Sequence, residues 1–128
     1  METLKIITLS LSGLLLLVVG AMRLSNPIKT YLKNSGIKLE KDVDLLNEMR
    51  GISGVMLLGG IIILLGTIIP ELTTSSLMVA SLLFLGFAIG RILGMVKDGK
   101  PNKLLIQGLV FELVFGSAST FCLITSLI

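Results

Sequence analysis

Four long stretches of the chain carry almost no charge, and nearly all charged residues lie in or beside the connections between them. The apolar runs are Ile6 to Met22, Gly51 to Pro70, Leu72 to Gly90 and Leu104 to Ile128. Each approaches or reaches the roughly 20 residues that an α-helix needs to cross a hydrocarbon core about 30 Å thick. Lipid cannot satisfy open backbone groups, and the runs lack the two-residue alternation of barrel strands, so they are expected to be helices. With flanking turns included, the predicted spans are about 4–24, 45–69, 72–96 and 103–127. The expected fold is all-α, an integral membrane four-helix bundle in one domain of 128 residues. The first span is read as a retained helix, because its charged start is weak and no small-x-small site precedes a plausible mature end.

The connections differ in kind. Only Pro70 and Glu71 clearly separate the second and third spans, which predicts a tight hairpin. The first connection, Arg23 to Asp44, is long and polar. Within it Asn26-Pro27 is a helix start, Ile28, Tyr31 and Leu32 recur at helical spacing opposite Lys29 and Lys33, and Asn34-Ser35-Gly36 is a stop. A short amphipathic helix on the cytoplasmic membrane surface is expected there, with Tyr31 at headgroup depth and the lysines meeting anionic lipid. Asp42 and Asp44 complement the dipole at the start of the second span.

Composition strengthens the membrane reading. Hydrophobic residues make up 53% of the chain and charged residues only 15%, against about 25% charged in ordinary globular proteins. The net charge of +3 does not indicate nucleic acid, because no basic run is interleaved with aromatics. Cys122 is the only cysteine and histidine is absent, so neither a Cys-x-x-Cys redox pair nor a transition-metal site is expected, and no cofactor is implied.

Orientation follows from the basic residues. Arg23, Lys29, Lys33, Lys38, Lys41 and Arg50 flank or fill the first connection, and Arg91, Lys97, Lys100 and Lys103 surround the third. The positive-inside rule then predicts a bacterial inner membrane protein with both termini on the periplasmic side.

Small residues recur four apart at Gly86, Gly90 and Gly94 in the third span and at Gly108 and Gly116 in the fourth, while Gly51, Ser53, Gly54, Gly59 and Gly60 mark the second. Such stripes are expected packing faces in membranes. Glu112 lies midway along the fourth-span stripe, about 13 Å beyond Lys103, and therefore points into the bundle or an oligomer contact. An ionised carboxylate at that depth requires a cation. Arg91, about 9 Å inside Lys97, is the first candidate and Arg50 the second. The predicted polar cluster is Glu48, Arg50, Arg91 and Glu112, with Asn47 and Asp98 nearer its mouth; a purely structural ion pair is the competing reading.

Asn47-Glu48-Met49-Arg50-Gly51, Gly90-Arg91 with Asp98-Gly99-Lys100-Pro101, and Glu112 together resemble a family of small four-span bacterial membrane proteins of unknown function, similar to the broader DoxX-like group. The resemblance implies a four-helix bundle with the motif residues gathered at one end. Some DoxX-like proteins are linked to quinone-coupled sulfur oxidation, but this chain has neither a redox cysteine pair nor an evident cofactor motif for that activity.

The leading expectation is a polar pocket, open toward the cytoplasmic leaflet, that binds a small amphipathic or anionic ligand or a lipid headgroup through its arginines. A non-catalytic subunit or assembly factor of a larger membrane complex is the alternative. Transport through a homo-oligomer by way of Glu112 is a third reading. No nucleophile and base pair in the sequence, so an enzyme is the least supported class.

Overall fold

A computed structural model describes residues 1–128. The chain forms α1 (Glu2–Ser25), α2 (Pro27–Ser35), α3 (Val43–Ile68), α4 (Thr73–Asp98) and α5 (Lys103–Leu127). Four of the five helices are long and apolar enough to cross a membrane. The sequence supplies their boundaries. The Asp42 side chain accepts from the Asp44 amide and starts α3 two residues before the predicted span. Asn26 caps α2, with Pro27 in its first turn, and Gly36 ends that helix at φ 67°, a conformation open to glycine. A single 3-10 turn, Pro70–Leu72, joins α3 to α4.

The bundle is built from two closely packed pairs. α1 lies against α3 and α4 against α5; α3 joins the pairs, whereas α1 and α5 touch sparsely. Backbone approach makes the first contact possible. A Cβ at Gly20 would lie 2.7 Å from the Leu57 nitrogen, and one at Gly60 would lie 2.6 Å from the Leu17 nitrogen. Hydroxyls staple α3 to α4, because Ser76 Oγ donates to the Ile62 carbonyl at 2.6 Å and Thr73 Oγ1 to that of Gly66 at 2.9 Å. Leu9, Leu16, Ile63, Leu77, Phe84 and Cys122 form much of the core. Many of the remaining large apolar side chains point outward, as expected where the surrounding solvent is hydrocarbon.

The expected glycine faces are corrected by this packing. Around Gly51, Gly54, Gly86, Gly90, Gly94 and Gly108 a Cβ would meet nothing within 4 Å, so these residues do not bring helices of this chain together. Of the predicted set, Gly116 is in close contact beneath Leu85 of α4, Gly59 beneath Leu83 and Gly60 against the α1 backbone. The close approaches that the spacing did not mark run through Gly13, Gly20 and Gly66. A four-residue spacing identifies a smooth helix face without saying which way that face is turned.

Tyr31 faces inward from the short helix. It is buried against the protein, because α2 turns Thr30 and Tyr31 toward α1. Thr30 Oγ1 donates to the Met22 carbonyl at 3.0 Å, which fixes that rotation. The far end of α2 is held by α5, where Asn102 Nδ2 donates to the Ser35 carbonyl at 2.8 Å. The same Asn102 side chain accepts from the Leu105 amide and caps α5.

Candidate functional site

Three helices each carry a buried stripe that contains or leads to an ion. On α1 the stripe runs Leu9, Ser12, Leu16, Gly20 and reaches Arg23 one turn later. On α4 it runs Ala80, Phe84, Ala88 and reaches Arg91. On α5 it includes Leu109, Glu112 and Gly116. Helical periodicity thus turns all three charges toward the bundle interior at the α2 end.

Arg91 Nε donates to Glu112 Oε1 at 2.8 Å, forming an ion pair between α4 and α5. The carboxylate side chain is 10% exposed and the arginine 30%, so the pair is shielded on the glutamate side and partly open on the other. Arg23 has no such partner. Its guanidinium carbon lies 4.3 Å from the Tyr31 ring centroid, one terminal nitrogen donates to Ser35 Oγ at 3.0 Å, and the other meets only the Met56 sulfur at 3.8 Å. Its Nε is buried without a hydrogen-bond partner. A thioether and a hydroxyl are neutral acceptors, which leaves the Arg23 charge without an anion.

These groups line one cavity of about 450 Å³ between α1, α4 and α5, beside α2. Leu16, Val19, Met56, Phe84 and Phe87 form its apolar part, and Arg23, Lys33, Asn34, Arg91, Gln107 and Glu112 its polar part. Three basic side chains face one carboxylate, so two positive charges are uncompensated within the lining. The lining offers donors and a carboxylate, with no hydroxyl, thiol or imidazole nucleophile among its residues.

The structure brings Arg91 and Glu112 together and leaves the rest of the predicted cluster elsewhere. Asn47, Glu48 and Arg50 are exposed in the first turns of α3, and Arg50 donates to the Leu24 carbonyl. The buried stripe of α3 runs through Ser53, Met56, Gly60 and Ile63, and its extension toward the helix start reaches Met49 rather than those three. Asp98 lines a second cavity of about 230 Å³ with Gly94, Met95, Pro101 and Leu105, and Arg91 belongs to the lining of both cavities. The omitted residue is Arg23. Its spacing from Leu16 and Gly20 is the sequence signal that marks it, although its place at a helix end made it look like a topology residue.

Residues 4–123 match the family model described as a domain of unknown function, DUF4345. Neither a curated protein nor a solved structure matches the chain.

Proposed function

The chain belongs to the DUF4345 family, whose description carries no activity, and on the site's geometry we propose that it binds an anionic group in the cavity between α1, α4 and α5. The observation that carries this reading is the unpaired charge of Arg23, held beside an arginine whose own charge is already met by Glu112. A carboxylate or phosphate would satisfy the free guanidinium with charge-assisted hydrogen bonds. Glu112 then fixes the orientation of Arg91 and limits the positive charge of the cavity. The reading places the site in the cytoplasmic half of a bacterial inner membrane bundle, with external termini, because the lysine-rich connections lie at the α2 end. Affiliation with the DoxX-like group belongs to the same reading.

Thermal unfolding in phosphatidylcholine nanodiscs tests it with inorganic phosphate and dodecyl phosphate as probes. An anion at about 100 times its Kd should stabilise the protein by roughly 2.7 kcal/mol, and Arg23→Gln should remove the effect. No shift with either anion rejects an anion site.

A second reading, a subunit of a larger membrane assembly, rests on Gly86, Gly90 and Gly94. They form a smooth stripe on α4 that nothing in this chain covers. Stoichiometric co-purification with a partner in mild detergent would favour it.

A further inference from the structure

We infer that the anion reaches this cavity from within the bilayer, as the headgroup of an amphiphile that leaves one alkyl chain in the seam between α1 and α5. The inference rests on the anion-binding reading and specifies the ligand class. Its evidence is the rim of the cavity. Leu15 and Met22 of α1 and Leu104 and Phe111 of α5 line the cavity and are also exposed, at 36%, 40%, 39% and 55% respectively. At the α2 end the lining also includes the exposed Lys33 and Gln107, where a headgroup can meet water. Along the seam the rim presents large apolar side chains on the outer surface of two helices long and apolar enough to cross a membrane, where lipid is the neighbour.

The interior matches one amphiphile laid along the helix axes. Arg23 and Arg91 mark its α2 end, and Leu16, Val19 and Phe84 continue it toward mid-helix. A chain held there exchanges lipid contacts for protein contacts at little cost, while the headgroup gains the guanidinium of Arg23. The seam is also sparsely packed compared with the α1–α3, α3–α4 and α4–α5 junctions, so few contacts break as a chain slides between α1 and α5. A volume of about 450 Å³ lies near the lower end of the roughly 300–1,000 Å³ usual for ligand pockets, which favours a headgroup and one chain over a wholly enclosed two-chain lipid.

Gly108 provides the test. It lines the cavity, and a Cβ there would meet nothing within 4 Å, so alanine is accommodated and larger side chains at this position compete with a bound chain for the cavity. The full chain in phosphatidylcholine nanodiscs is photolabelled with an alkyl phosphate carrying a diazirine midway along its chain. The series is Gly108→Ala, Gly108→Leu and Gly108→Phe, with unchanged thermal unfolding as the folding check. The expected result is saturable labelling of the Leu15–Val19 segment of α1 and of α5 around Phe111. Dodecyl phosphate should compete and dodecyltrimethylammonium should not. Labelling should fall stepwise with side-chain size, by about tenfold for Gly108→Phe, as expected from a loss near 1.4 kcal/mol. Inorganic phosphate that competes as well as dodecyl phosphate, with labelling indifferent to Gly108→Phe, overturns lateral entry and leaves a soluble-anion site. Labelling unaffected by either anion and by Arg23→Gln overturns the anion site as well.

Discussion

The Arg23 guanidinium lies over the Tyr31 ring at 4.3 Å, so the last turn of α1 is joined face to face with α2. This contact serves two ends, because it seats the short helix and holds the one guanidinium of the cavity that no carboxylate neutralises.

Replacing Tyr31 with leucine retains an apolar body and removes the quadrupole. The expected loss is about 1 kcal/mol in thermal unfolding, within the range of partly desolvated cation–π contacts. Hydrogen exchange should quicken in α2 and not in α3. Uniform acceleration through all helices would show that the contact supports the whole bundle instead.

Arg91 and Glu112 should be strongly non-additive. Arg91→Met leaves a shielded carboxylate without its cation and is expected to cost about 2–4 kcal/mol, reduced from the fully buried case by the arginine's partial exposure. Arg91→Met combined with Glu112→Leu should recover much of that loss. A double-mutant cycle in mixed micelles measures the coupling, and additive single effects would mean that the pair contributes little.

Two glycine-to-alanine substitutions should diverge. Gly20→Ala drives a methyl group into the Leu57 backbone of α3 and is expected to destabilise the chain by at least about 2 kcal/mol. Gly90→Ala adds a methyl group in open space and should be neutral or stabilising by up to about 1 kcal/mol. Unfolding titrations of the two variants under one set of conditions provide the comparison. A destabilised Gly90→Ala chain would place another surface against that stripe.

Asn102 makes two bonds that substitution can separate. Asn102→Ala removes the α5 cap and the donor to Ser35, for an expected total of about 2 kcal/mol. Asn102→Asp keeps the cap acceptor and loses the donor, so exchange should accelerate in α2 while the first turn of α5 stays protected. Equal acceleration in both segments would show that the two bonds form one cooperative unit.

The helices were legible because lipid imposes a long uncharged run, and their ends were legible where Asp42, Pro27, Gly36 and Pro70 act locally. Helix rotation was harder to read. Gly86, Gly90 and Gly94 share a face whichever neighbour α4 chooses, and hydropathy is nearly uniform around a lipid-facing helix. Glu112 showed its direction because a mid-membrane carboxylate has few tolerable surroundings. Arg23 and Arg50 look alike in sequence, each at a span end among basic residues. Only the stripe Leu9, Leu16, Gly20 on α1 and its counterpart through Ser53 and Met56 on α3 separate them, turning Arg23 inward and Arg50 outward.

The bond from Asn102 to the Ser35 carbonyl, together with the seating of Thr30 beneath Met22, makes α2 a strap between the α1 and α5 margins of the seam. A gap fastened at one end widens as a wedge, with least travel at the strap and most toward mid-bilayer. On the proposed amphiphile reading, the charged end of the cavity is the part that α2 holds at fixed width, so it would gauge the headgroup, and the unstrapped apolar end would set the tolerance for the chain.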